Sequence, residues 1–249
     1  MIVLKTAREL ELMREAGRIS AMALKVAGEH IKPGVSTKDI DTVVHDYIVS
    51  EGAVPSFLGY GGFPGSACIS VNNEVIHGIP KKTKVIQSGD IVSVDVGACI
   101  HGFHGDNAYT FPVGQISPEA QRLLDVTRQS LEIGVKAAVA GNRIGDIGHA
   151  VQTYVEENGM AVVKKFVGHG VGENLHESPD VPNYGRAGRG ARLVPGMTIA
   201  IEPMVNATGE NVKVLADGWT TVTTSGSLSA HFEYTIAITE NGPVVLTRP

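Results

Sequence analysis

Four acidic residues stand in strand-like surroundings where a carboxylate is out of place. Asp95 closes the run Asp90-Ile-Val-Ser-Val-Asp95 and Glu202 closes Met197-Thr-Ile-Ala-Ile-Glu202, while Asp106 and Glu233 sit within two further Thr- and Ile-rich runs. Side chains alternate along a strand, so Asp95 shares a face with Ser93, and Val92 and Val94 point the other way. By the same alternation Glu202 lies with Thr198 and Ala200, Asp106 with Ala108 and Thr110, and Glu233 with Thr235 and Ala237. Small neighbours leave room above each acid, which implies a cavity. Any one of the four, taken alone, reads first as a strand-end or edge residue facing water. Together, a buried carboxylate is costly unless paired or bound to a cation, and four converging ones repel one another without metal ions.

The histidines sort by context. His77 lies in the turn Glu74-Val-Ile-His-Gly-Ile-Pro, and His169 and His176 lie in Val167-Gly-His-Gly-Val-Gly-Glu-Asn-Leu-His-Glu. The glycines around His169 are read as letting the backbone approach a ligand. His104 and His231 each precede an acid, Asp106 and Glu233, by two residues, so either could face the same way. His30, His45, His101 and His149 read as structural or solvated. GxSxG, HExxH and Walker-type motifs are absent from the sequence, and Gly168-His-Gly-Val-Gly lacks the glycine spacing of a dinucleotide fingerprint.

The elements that must hold these residues are helices followed by strands, twice. Thr6 with Glu9 forms a capping box, and an apolar stripe at Ile19, Met22, Ala23 and Val26 predicts a helix over 7–29. Thr37 is expected to cap a second helix, with Ile40, Val43, Val44, Tyr47 and Ile48 on one face and Gly52 as the stop. Ser117-Pro118-Glu119 opens a third helix through about 139, and Ile144, Ile147, Val151, Tyr154 and Val155 mark a fourth. A shift of 107 residues lays Gly34 on Gly141, Asp39 on Asp146, Val44 on Val151, Gly89 on Gly196 and Asp95 on Glu202. That register suggests duplicated halves. Strands are predicted at 66–72, 90–96, 107–113, 161–167, 197–205, 211–216, 219–223 and 231–239. The pattern is α+β with antiparallel sheet. The glycine- and arginine-rich loop 183–196 reads as solvated surface.

Composition narrows the field. With 21 basic against 26 acidic residues and a net charge of −5, the chain lacks the positive field that would make DNA a partner. Its two cysteines, Cys68 and Cys99, give no disulfide framework and suit a reducing cytoplasm. The charged N-terminus and the lack of long apolar runs predict neither export nor membrane insertion.

Taken with Cys68-Ile-Ser-Val-Asn, His77-Gly-Ile-Pro, Gly102-Phe-His-Gly-Asp106, Glu202-Pro and Glu233-Tyr-Thr, these motifs make the chain resemble the type I methionine aminopeptidases of the short bacterial form, over essentially its whole length. The resemblance implies the duplicated pita-bread α+β fold, as a single catalytic domain over 1–249 with halves of about 1–113 and 114–249. It implies five metal ligands, Asp95, Asp106, His169, Glu202 and Glu233, holding two divalent ions drawn from Co, Mn, Fe(II) and Zn. Glu202 would shuttle the proton, His176 would bind the developing oxyanion, and His77 would contact the scissile nitrogen. Phe57, Tyr60, Phe63, Cys68 and Trp219 would form the methionine pocket, in which Leu175 replaces a usual aromatic residue. The implied activity removes initiator methionine from nascent chains when the next residue is small, in the cytoplasm, by a monomer working near the ribosome exit. Alternatives are an X-Pro aminopeptidase-like exopeptidase, whose relatives carry an additional N-terminal domain for which there is no room here, and a non-catalytic binding protein of the same fold. Only 33 residues separate His169 from Glu202, which leaves no space for the helical insertion of the type II enzymes.

Overall fold

Thr6 opens the first helix as expected. In the computed structural model, which describes residues 1–248, the Glu9 amide donates to the Thr6 hydroxyl at 3.3 Å and the Thr6 amide donates to the Glu9 carboxylate at 2.6 Å. Helix α1 then runs Ala7–His30. The second helix, α2 (Thr37–Ser50), is capped one residue earlier than predicted, by Ser36. The reason is the acid: Asp39 lies three residues after Ser36, where its carboxylate and the Ser36 hydroxyl can each take the other's amide, at 3.3 and 3.2 Å. Thr37 is already helical, and its hydroxyl bridges the amide and carbonyl of Lys81. Ile40, Val44 and Ile48 are fully buried, and Gly52, at φ 75°, lets the chain turn away in the left-handed region.

Helices α3 (Pro118–Ala137) and α4 (Ile144–Glu157) form a second pair of similar make. The α1/α2 pair packs its apolar stripes on Val92, Val94 and Val96, and the α3/α4 pair packs on Ile199, Ile201, Ile236 and Ile238. These valines and isoleucines are the strand faces opposite the acids, so the helices cover one side of the sheet and the acids point to the other.

Among the described residues the main sheet has nine strands, all paired antiparallel. Its centre is the hairpin Ile91–Ile100 and Phe103–Pro112, turned at His101 and Gly102, both at positive φ. The sheet continues from Phe103–Pro112 through Glu233–Thr239, Thr198–Ile201 and Gly168–Gly170 to Glu177–Val181.

Two predicted strands are each divided. The run 197–205 breaks after Ile201, because Pro203 has no amide to give a ladder, and Met204–Asn206 joins a separate three-stranded sheet with Ser229–His231 and Ala161–Val162. The run 231–239 splits at Phe232, with Ser229–His231 in the small sheet and Glu233–Thr239 in the large one. The stretch 161–167 forms strand only at Ala161–Val162. Glu202 and Glu233 therefore stand where the chain passes between sheets, and His231 stands beside them. No described helix is long and apolar enough to cross a membrane.

Candidate metal centre and adjoining cavity

Strand register alone assembles most of the cluster. Asp95 and Glu233 are both paired with Ala108, from the strands on either side of it, so the three side chains share a face. Asp106 lies two residues along from Ala108 on that face, opposite Gly97, where a Cβ would strike Phe57 and Ser56. Glu202 follows Ile201, which pairs with Tyr234, and so comes up beside Glu233. His169 arrives from the next strand. A Cβ at Gly168 or Gly170 would collide with the backbone of Ala200 or Ser178, so these glycines admit neighbouring strands; the expectation that they serve close approach to a ligand is corrected by that packing.

Ligand-type atoms of Asp106, His169 and Glu233 lie within 4.8 Å of one another. Nε2 of His169 is 3.8 Å from Asp106 Oδ2 and 3.5 Å from Glu202 Oε1. Its Nδ1 sits 2.8 Å from the Gly170 carbonyl, an acceptor only, so Nδ1 carries the proton and Nε2 presents its lone pair to the acids. Burial pushes His169 down to about 3, which keeps the ring neutral. Burial, reinforced by the neighbouring carboxylates, drives Asp95, Glu202 and Glu233 well above the ordinary carboxylate range. Asp106 is raised by burial to about 7. Asp95 Oδ1, Asp106 Oδ1 and Glu233 Oε1 are buried without a hydrogen-bond partner. Orphaned carboxylate oxygens around an imidazole lone pair are the donors a divalent cation takes up.

The cluster opens into a cavity of about 260 Å³ that collects the metal-ligand, catalytic and pocket residues named by the family resemblance: Phe57, Tyr60, Phe63, Cys68, His77, Asp95, Asp106, His169, His176, Glu202, Trp219 and Glu233 all line it. Phe63 meets Trp219 edge-on at 5.2 Å between ring centres. His77 is held between Trp219 and Phe166, at 6.0 and 5.6 Å, from a backbone at φ 58°, which a non-glycine residue adopts only when its surroundings enforce it. Burial lowers His77 to about 4. Cys68 lies opposite Asp95 in the ladder, and burial pushes its thiol up. The His176 ring lies 4.1 Å from that of His169.

Ile76, Phe166 and Val167 also line the cavity and were not anticipated. Phe166 stands between two lysines and the glycine run, where nothing in its spacing marks it as a wall residue. Of the two histidines that precede acids, His231 enters the cluster, with Nε2 3.8 Å from Glu202 Oε2, whereas His104 is tied to Ser56.

Residues 11–240 match the model of metallopeptidase family M24. The chain belongs to metallopeptidase family M24. An M24 metallopeptidase uses a divalent metal, in keeping with the orphaned donors. The chain is 54% identical over 248 residues to methionine aminopeptidase 1 of Bacillus subtilis, covering all of both. It superposes on the crystal structure of a methionine aminopeptidase from Thermotoga maritima with a TM-score of 0.99 at 48% identity, over the full length of both chains. A prolidase from Pyrococcus furiosus, at 23% identity, a TM-score of 0.80 and coverage of 99% of this chain and 66% of that one, shares the fold. The M24 pita-bread fold expected from the sequence is the fold observed.

Proposed function

We propose that this M24 metallopeptidase is a methionine aminopeptidase that removes the N-terminal initiator methionine of nascent proteins and peptides when the next residue is small. The carrying observation is that the acid cluster forms part of the wall of the same cavity as Phe57, Phe63, Cys68 and Trp219. The full-length relatives of Bacillus subtilis and Thermotoga maritima bear that activity in their names.

Asp95, Asp106, His169, Glu202 and Glu233 would hold two divalent ions, Co, Mn, Fe(II) or Zn. When bound there, the ions supply Lewis acidity and a water acidic enough to be nucleophilic near neutral pH. The remaining work is done by the chain. The free α-amino group of the substrate would be taken up at a position the metal centre leaves open, so cleavage would be counted from the N-terminus. Aromatic and sulfur-bearing walls suit a thioether side chain, at about 0.3–1.5 kcal/mol for each S–aromatic contact. Glu202 accepts a proton from the attacking water and returns it to the leaving amine. His176 donates to the developing oxyanion, and His77 contacts the scissile nitrogen.

The chain is read as one catalytic domain of two related halves, about 1–113 and 114–249, acting as a cytoplasmic monomer. A working position at the ribosome exit would draw on Lys81, Lys82, Lys84 and Lys164, which pair with Asp217, Asp39, Glu74 and Glu210.

Peptides beginning Met-Ala, Met-Gly, Met-Lys and Ala-Pro test the reading. Rapid release from the first two and little from the third is expected; equal rates on the three methionyl peptides overturn the steric part, and preference for Ala-Pro overturns the substrate class. Loss of hydrolysis with every divalent ion would favour a binding protein.

A further inference from the structure

His231 is the one imidazole near the acid cluster to which the proposed reaction gives no task. Its side chain is 2% exposed, and Nε2 is buried without a hydrogen-bond partner. The backbone is clamped from the adjoining strand: the His231 amide donates to the Thr110 hydroxyl at 2.9 Å, and that hydroxyl donates to the His231 carbonyl at 2.8 Å. Such a clamp fixes where the ring enters, just before the chain crosses at Phe232 from the small sheet to the large one.

The two oxygens of Glu202 face different imidazoles. Oε1 lies 3.5 Å from Nε2 of His169, and Oε2 lies 3.8 Å from Nε2 of His231. Glu233 Oε2 is slightly farther from His231, at 4.0 Å. One carboxylate oxygen is thus turned to the ligand set proposed above and the other to a ring whose polar tip makes no hydrogen bond.

We propose that His231 is a positioning residue for Glu202, its Nε2–H donating to Oε2 and thereby holding Oε1 toward His169 and the metal centre. The gap exceeds a hydrogen bond by less than an ångström, which a small rotation of either side chain closes. In this arrangement His231 is the neutral tautomer with its proton on Nε2, opposite to that of His169, whose Nδ1–H is taken by the Gly170 carbonyl. The inference rests on the metal-centre reading above and assigns His231 a role outside the five ligands.

The test compares His231→Gln, which keeps an N–H donor, with His231→Met, which fills similar space without one. Metal-free proteins are titrated with Co(II), followed calorimetrically and by the visible absorption of the bound ion. Loss of an outer partner to a ligand weakens metal binding by about 10–100-fold, so His231→Met should weaken binding by that much and His231→Gln by no more than about threefold. Equal affinity in all three proteins would overturn the proposal and leave His231 as core packing. Equal loss in both variants would overturn it in favour of direct ligation, since the amide retains the donor and lacks the imidazole lone pair. Absence of Co(II) binding by the unmodified chain would instead overturn the metal-centre reading itself, and the role of His231 with it. A measurement on the unmodified, Zn-loaded chain does not depend on either variant folding: ¹⁵N-histidine spectra should show His231 as the Nε2–H tautomer, and a metal-bound Nε2 would refute the proposal.

Discussion

The Tyr60 hydroxyl lies 2.8 Å from Nδ1 of His176, with the two rings 5.1 Å apart. The oxyanion role proposed for His176 requires its proton on Nε2, and in that tautomer the phenol donates to the bare Nδ1. Tyr60, placed in the methionine pocket by the family resemblance, is 46% exposed and has its polar end on a catalytic candidate. Tyr60→Phe keeps the ring and removes the donor. At about 0.5–1.5 kcal/mol for one hydrogen bond, kcat on a Met-Ala peptide should fall about 2–10-fold with KM unchanged. A raised KM at constant kcat would return Tyr60 to the pocket wall alone.

Chelation should reverse the pH dependence of stability. In the metal-free chain burial raises Asp95, Glu202 and Glu233, and brings Asp106 to about 7 from its ordinary 3.8. The buried, neutral His77, His169 and His231 act the other way below their ordinary 6.5, where the unfolded chain protonates them; above about 6.5 the acids prevail, the folded chain binds more protons than the unfolded one, and its stability falls as pH rises. A bound cation replaces the protons and favours the ionised acids, so the loaded chain gains over the same range. Melting at pH 6.5 and 7.5, with and without chelator, should show the metal-free Tm dropping by several degrees, at about 2–4 °C per kcal/mol for a chain of this size, and the loaded Tm rising. A metal-free Tm that increases toward pH 7.5 would contradict the electrostatic account of the cluster.

Lys5 ties the N-terminal segment to the loop that carries His176. Its ammonium is 2.5 Å from Glu177, with the two side chains 3% and 9% exposed, and its amide donates to the Gly196 carbonyl at 2.7 Å. Burial would raise the Glu177 carboxyl, yet Lys5 and the Asn174 amide outweigh it and hold the group below its usual range. Lys5→Met strands a buried carboxylate and should cost about 3–5 kcal/mol in denaturant unfolding. Adding Glu177→Gln to Lys5→Met should recover part of that loss, because the uncompensated charge is then gone. No recovery would mean that packing of the lysine stem, and not the ion pair, is what matters.

How far the site could be read in advance depended on the regularity of each strand. Asp95 and Asp106 lie in an unbroken hairpin, so alternation gave their facing correctly and the valines of the helix-covered face with it. Glu202 and Glu233 lie where apolar runs continue in sequence while the chain changes sheets; alternation puts them on the right face, but only Pro203 hints at the first break. The choice of Thr37 over Ser36 as cap failed because both hydroxyls are suitable and only the three-residue offset to Asp39 distinguishes them. Contacts between remote loops left no local trace: Tyr60 meets His176 across 116 residues, and Phe166 meets His77 across a cavity wall. The family resemblance named the first pair individually, not their hydrogen bond.

Trp219 reaches the cavity on a turn built by Asp217, and that turn should govern methionine binding. Asp217 Oδ1 accepts the amides of Trp219 and Thr220 at 3.1 and 2.9 Å, and Oδ2 accepts the Thr220 hydroxyl at 2.8 Å. Burial acts to raise the acid, but these bonds prevail and bring it to about 2, below its unfolded 3.8. The turn's contribution is therefore complete above about pH 4 and is lost as pH falls through 2. At neutral pH Asp217→Ala removes the acceptors outright. Trp219 should then lose its edge-on seat against Phe63, and at about 0.5–1.5 kcal/mol for such an aromatic pair KM for Met-Ala peptides should rise about 2–10-fold with little change in kcat. Trp219 is the chain's single tryptophan, so its fluorescence reports the same event directly. A red-shifted emission should accompany the higher KM, and an unshifted spectrum with unchanged KM would show that Phe63 and His77 hold the ring without the turn.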